Sequence, residues 1–227
     1  RDVETLIASA DSILTVSAEV AAELHAIYGK EGRLLTPADP ELSAEKGQHV
    51  AVPSDGERTV LSVGTFHPRK NLVALVHIWD VWENAPRLVL AGRRHPQDGA
   101  FFAALSSHPR AAERITLIHN ADDAQLAELY HAARFLVMPS LAEGWGLPVR
   151  EALLAGRPAI TTDAVPAATG SPFARVVPAG DEAALSSAIH EWWGGDAPER
   201  LSVEIQRTFV PRTWRGVAAE LAGQLTD

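Results

Sequence analysis

Between residues 58 and 193, short and wholly apolar runs alternate with stretches of helical length, and few folds accept that rhythm. The apolar runs lie at 59–63, 88–91, 115–118, 135–138 and 159–161, with a shorter one near Val176. Helical patterns fill 71–82, 99–107, 123–132, 149–155 and 182–193. A strand that is apolar on both faces has to be covered on both faces, as in a parallel sheet flanked by helices. The expected fold class is therefore α/β: a doubly wound parallel sheet, Rossmann-like. Such sheets bind ligands beyond the C-terminal ends of their strands, so the loops that follow strands are where chemistry is expected.

The flanks are less regular. Residues 12–16 read as a strand and 18–28 as a helix, with Ser17 as its N-cap and Gly29 as its stop. Residues 33–57 hold three prolines and mixed charge without periodicity, and read as a linker. A last helix is expected over 213–225, after Pro211.

Composition removes several kinds of chemistry. The chain has no cysteine, which excludes disulfides, thiolate metal sites and a cysteine nucleophile. No histidine pair has the spacing of a helical metal site, so no metal is expected. The net charge of −9 disfavours nucleic acid as a partner. An anionic ligand would then need a local cationic cluster. The only lysines are Lys30, Lys46 and Lys70, and of these Lys70 alone sits beside a core strand.

Two segments could carry that chemistry. The turn after the first core strand reads Val63-Gly-Thr-Phe-His-Pro-Arg-Lys-Asn71. Gly64 and Thr65 end the strand, Pro68 fixes the turn, and Asn71 is placed to cap the next helix. Arg69 and Lys70 fall on the ligand side of the sheet and suit a diphosphate: a planar fork, a compact charge and the amides of a helix N-terminus. Their bland reading is a pair of solvated loop cations. His67 reads as a turn histidine rather than a catalytic one. The second segment is Glu143-Gly-Trp-Gly-Leu-Pro-Val-Arg-Glu151, two carboxylates eight positions apart. Gly144 and Gly146 let backbone amides approach a ligand, and a helix starting near Pro148 aims its positive end the same way. Glu143 could accept hydrogen bonds from sugar hydroxyls and Glu151 could hold a ribose diol. The competing reading of Glu151 is an acid in a first helical turn that suits the dipole.

Together these segments resemble the C-terminal, nucleotide-sugar-binding lobe of a family 4 retaining glycosyltransferase of the GT-B fold. The E-x7-E motif matches Glu143 and Glu151, the P-R-K-N turn matches Pro68 to Asn71, and Glu151-Ala-Leu-Leu-Ala-Gly-Arg-Pro158 resembles E-A-x-A-x-G-x-P. Residues 122–130 resemble another family helix, and the likeness covers about 59–193. It departs from some members at Thr65, where they carry Arg, and at Trp145, where Phe is usual.

The resemblance implies a transferase that moves a sugar, with retention and without metal or cofactor, from a nucleoside-diphosphate sugar (GDP-mannose or a UDP-sugar) to a glycan or lipid-linked acceptor. Arg69, Lys70 and Glu143 are its implied catalytic residues. Gly64, Thr65, Asn120, Ala121, Gly144, Trp145, Gly146, Leu147, Val149 and Glu151 are its implied donor-binding residues, with the base near His119 to Ala121. It also implies a division of the chain: 1–32 as the end of an N-terminal acceptor lobe, 33–57 as linker, 58–210 as the donor domain, and 211–227 as a helix packing back toward the N-terminal lobe. The start at Arg1 fits a fragment, which alone would be inactive. A cytoplasmic location is expected, with contact at the inner face of a membrane left open. Two alternatives stand beside this: a non-catalytic nucleotide-sugar-binding scaffold, and a dinucleotide-dependent oxidoreductase, which the missing G-x-G-x-x-G disfavours.

Overall fold

The computed structural model describes residues 3–40 and 58–226, with side chains to residue 224. Six parallel strands form the central sheet: β3 (Thr59–Val63), β4 (Leu88–Ala91), β5 (Ile115–Ile118), β6 (Ala133–Met138), β7 (Ala159–Thr162) and β8 (Ala174–Val177). Their spatial order is β5-β4-β3-β6-β7-β8. The chain winds outward from β3 to β5, returns to the centre at β6, and winds out the other way. The order therefore reverses between β3 and β6, which pair Leu61 with Leu136. At such a switch point the loops leaving two neighbouring strands diverge to opposite faces and leave a crevice.

The helices α3 (Leu72–Val81), α4 (Gly99–Ser107), α5 (Pro109–Arg114), α6 (Asp123–Ala132), α7 (Leu147–Leu154) and α8 (Glu182–Gly194) cover the sheet. One core joins Val60, Leu88, Phe135 and Ile160 to Leu75, Trp79 and Ile189; a second joins Leu61, Val89 and Leu136 to Leu129, Tyr130 and Val149. Neighbouring strand residues thus point to opposite cores. Burying an apolar side chain is worth about 1.5–3 kcal/mol. Trp79 is fully buried because its indole N–H has a partner, donating to the Pro86 carbonyl at 2.7 Å.

Outside the sheet, α1 (Val3–Ser9), β1 (Leu14–Thr15), α2 (Ala18–Tyr28) and β2 (Arg33–Leu34) form a small unit in which β1 and β2 pair in parallel. Ser17 does cap α2, accepting from the Val20 N–H, and Gly29 ends it at φ 63°. The expected linker therefore begins with two strand residues, and its remainder at 41–57 lies outside the described residues. α9 (Ala197–Thr208) and α10 (Trp214–Thr226) complete the chain. The α10 segment returns to the small unit: Gln224 Nε2 donates to the Leu34 carbonyl at 3.0 Å. Asp39 locks this junction, accepting from Arg150 of α7 through both oxygens, at 2.5 and 2.8 Å, and from the Arg212 N–H at 2.7 Å. Among the described residues no helix is long and apolar enough to cross a membrane.

Candidate active site at the strand-order switch

The turn after β3 is short and tightly tied. A 3-10 turn spans Pro68–Lys70. The Nδ1 of His67 accepts the Arg69 N–H at 3.0 Å, so this histidine caps the turn. Asn71 differs from expectation. It adopts a left-handed conformation, φ 52°, and makes no side-chain cap to α3; its N–H instead closes the turn on the Pro68 carbonyl. Asparagine tolerates that conformation better than most residues. The result points Lys70 inward. Its side chain is buried and lies over Gly64, where a Cβ would sit 3.0 Å from Lys70 Cε. Gly64 itself has φ 143°, so the strand can end there only because no side chain is present.

The loop after β6 meets this turn from the other side of the switch. The Leu141 N–H donates to the Arg69 carbonyl at 2.7 Å, and an Arg69 Nη donates to the Ala142 carbonyl at 2.9 Å. Glu143 is thereby brought onto both cations: Lys70 Nζ lies 2.6 Å from Oε1 and an Arg69 Nη lies 2.6 Å from Oε2. The Ser140 hydroxyl also donates to Oε1 at 2.8 Å. An ionised carboxylate has about four lone-pair positions, so three donors leave capacity for a ligand hydroxyl.

The electrostatics follow from burial set against partners. Burial pushes the Glu143 carboxyl up, but Lys70, Arg69 and Ser140 outweigh it and hold the group below the usual carboxylate range. Burial also pulls the Lys70 ammonium below the ordinary lysine range, against Glu143 and Glu151, which favour its charge. Because the folded-state pKa of Glu143 is depressed, its contribution to stability is present above the unfolded value and is lost as pH falls through the folded one.

Glu151 stands one helical turn into α7. It accepts a 2.5 Å hydrogen bond from the phenol of Tyr130, a fully buried residue of α6. Burial raises the Glu151 carboxyl above its ordinary range, against the Tyr130 hydrogen bond; Asp123 raises it further and Lys70 lowers it. Burial, then Glu151, pushes the phenol well above the tyrosine range, so it stays a donor. Glu151 is thus an oriented, largely buried carboxyl rather than a solvated first-turn acid. At the head of α7, the N–H groups of Gly146 and Leu147 have no protein acceptor among the described residues, as expected of donors at a helix start, and neither do those of Gly144 and Trp145 in the loop before it. Gly146, at φ 110°, packs where a Cβ would lie 2.5 Å from Val165.

Beside the cationic turn a cleft of about 300 Å³ is lined by Gly64, Thr65, Gly92, Arg93, Asn120 and Ala121. Its floor is a close backbone approach: a Cβ on Gly92 would lie 2.0 Å from the Gly64 carbonyl oxygen.

Residues 57–194 match the profile of the glycosyl transferases group 1 family. The chain belongs to this family. Among curated members of known assignment it is 29% identical over 178 residues to the serotype-specific mannosyltransferase WbdA of Escherichia coli, covering 68% of this chain and 22% of that protein. It is 33% identical over 107 residues to the Escherichia coli O-antigen chain mannosyltransferase B, covering 45% and 28%. Among solved structures, sucrose-phosphate synthase from Thermosynechococcus elongatus superposes with a TM-score of 0.75 at 28% identity, over 98% of this chain and 59% of that one. Anabaena HepE in complex with UDP superposes with a TM-score of 0.74 at 14% identity, over 99% and 66%. The chain thus spans about a quarter of the curated relatives it matches and three-fifths of these solved chains. Its sheet has the fold of one lobe of the GT-B glycosyltransferase structures on which it superposes.

Within this group 1 lobe, Gly64, Arg69, Lys70, Glu143 and Glu151 gather around one crevice, and Thr65, Asn120 and Ala121 line the adjoining cleft. Val149 stands apart from these: its side chain is fully buried in the core and its N–H donates to the Gly146 carbonyl at 3.0 Å. Trp145 is half-buried against the second core, and its carbonyl accepts the Ala167 N–H. Two residues escaped the sequence reading, Ser140 and Tyr130. Ser140 lay three positions before Glu143; Tyr130 was already within a motif helix, yet nothing local joins it to Glu151.

Proposed function

We propose that this lobe binds a nucleoside-diphosphate sugar and serves as the donor half of a retaining glycosyltransferase of the family 4 type, acting on a glycan or lipid-linked acceptor. The observation that carries this reading is the meeting of Lys70, Arg69 and Glu143 at the strand-order switch, beneath the open amides of α7. The cleft at Asn120 and Ala121 receives the base, and Glu151 accepts from the ribose. The diphosphate spans Lys70, Arg69 and the α7 N-terminus. When the bond between the sugar C1 and the β-phosphate oxygen breaks, charge grows on that phosphate, and fixed cations and amides stabilise it most there. Glu143 then orients the hexose through its hydroxyls. Names of relatives favour mannose, and so GDP-mannose, as the donor. A second lobe completes the acceptor side, and 58–210 forms the donor domain.

Calorimetric titration with GDP and UDP in the presence of a chelator tests this: binding of at least one without a divalent ion is expected, and binding of neither would overturn it. Tyr130→Phe refines the test. Removing one hydrogen bond should cost about 1 kcal/mol of stability. It should also raise the Glu151 pKa further, since that hydrogen bond favours the ionised form. The folded-state pKa of Glu151 is already above the unfolded value, so its stabilising share is held at acid pH and lost as pH rises through the folded pKa. The acid limb of the affinity profile, where Glu151 must ionise to accept a ribose hydroxyl, should move to higher pH in Tyr130→Phe. An unmoved limb would remove Glu151 from the ribose.

A further inference from the structure

At the opposite end of the sheet, under the N-terminal ends of the strands, lies a second cavity of about 430 Å³. Arg58 precedes β3, His131 and Arg134 flank the start of β6, Arg157 precedes β7, and Glu199 and Ser202 face them from α9. Three guanidinium groups therefore converge on one carboxylate in a chain whose net charge is −9. Glu199 is already taken. Arg134 donates to both its oxygens, at 2.8 and 2.9 Å, and Arg58 pairs with it as well. Arg134 is also spent on the Trp193 and Gly195 carbonyls, so it anchors α9 to the sheet.

Arg157 has no such partner. One Nη donates to the His131 carbonyl at 2.6 Å, while its Nε is buried with no acceptor among the described residues. Burial, and then the nearby charge of Arg58, weakens its hold on the proton, against the charge of Glu199, which favours it. Three guanidinium groups set against the Glu199 carboxylate leave the lining of the cavity with an excess of positive charge. Planar guanidinium forks match phosphate oxygens best.

We propose that this cavity binds a phosphomonoester, its dianion held by Arg157 and Arg58 and its remaining volume taking a group the size of a monosaccharide. The inference is independent of the donor reading, because the two sites lie at opposite ends of the strands.

Inorganic phosphate is the probe, titrated against the whole chain at constant ionic strength and followed by ³¹P line broadening and thermal midpoint. Lys70→Ala should keep a phosphate site, whatever its donor crevice loses, and Arg157→Gln should bind phosphate there at least tenfold more weakly while keeping its affinity for GDP or UDP. Should Arg157→Gln fail to fold, Arg58→Gln, at the exposed rim, decides by the same loss. Absence of phosphate binding overturns the proposal. So does binding lost in Lys70→Ala but kept in the arginine variants, or a shift that chloride reproduces.

Discussion

Lys70→Ala should weaken nucleoside diphosphate binding by about 10- to 100-fold, the equivalent of roughly 1.5–3 kcal/mol for one charge-assisted phosphate contact. It should also destabilise the free protein. Lys70 and Glu143 are both almost wholly buried, with side-chain exposures of 9% and 7%, whereas Arg69 is 43% exposed. Removing one member of a buried pair typically costs about 3–5 kcal/mol, because the other charge is stranded. Here Arg69 and Ser140 still reach Glu143, so the loss should fall at or below the lower end of that range. The stranded carboxyl will then take up its proton at higher pH than in wild type, so the destabilisation relative to wild type should be largest near neutral pH and shrink on acidification. The double variant Lys70→Ala/Glu143→Gln separates the two effects: stability should recover in part and affinity should not. Calorimetry and thermal melts across pH measure both. Unchanged affinity in Lys70→Ala would take the phosphates away from this turn.

The second large effect is expected at Gly92. A methyl group there would lie 2.0 Å from the oxygen and 2.6 Å from the carbon of the Gly64 carbonyl. The obstacle is backbone rather than the end of a mobile side chain, so β3 or β4 has to shift. Overpacking of this kind costs roughly 1–3 kcal/mol, occasionally more. For a domain near this size each kcal/mol lowers the midpoint by roughly 2–4 °C. The shift also reaches function, because Gly64 supports Lys70 and lines the cleft. Gly92→Ala should therefore lose both stability and nucleotide affinity. Gly99→Ala is the control: nothing lies within 4 Å of its added Cβ, and the site starts α4. If the two variants melt and bind alike, the close approach at Gly92 has no role.

The sheet was legible because buried parallel strands need continuous apolar runs, and each such run became a strand. The less regular elements hid for physical reasons. α9 opens with Pro198 in its first turn and sets Leu201 and Ile205 four apart, a readable signal diluted by many charged neighbours. α5 is a single short stretch of six residues whose one fully buried side chain is Ala111. β2 has only two residues and no buried side chain, and it exists through its pairing with β1. In the site, the motif spacing placed Arg69, Lys70 and Glu143 on the ligand edge, but that they would neutralise one another is a property of two loops meeting. Val149 shows the opposite pull: it lies inside a glycine-rich motif, while helical periodicity sends its side chain to the core. Tyr130 became visible only when α6 and α7 were packed side by side, 21 positions apart.

A diffraction structure of the chain with bound GDP or UDP tests the central claim most directly. Diphosphate oxygens within hydrogen-bond distance of Lys70 Nζ and the α7 amides, with the ribose against Glu151 and the base beside Asn120 and Ala121, are the expected result. A nucleotide seated away from the crevice between the β3 and β6 loops, with the Lys70–Glu143 pair untouched, would contradict it.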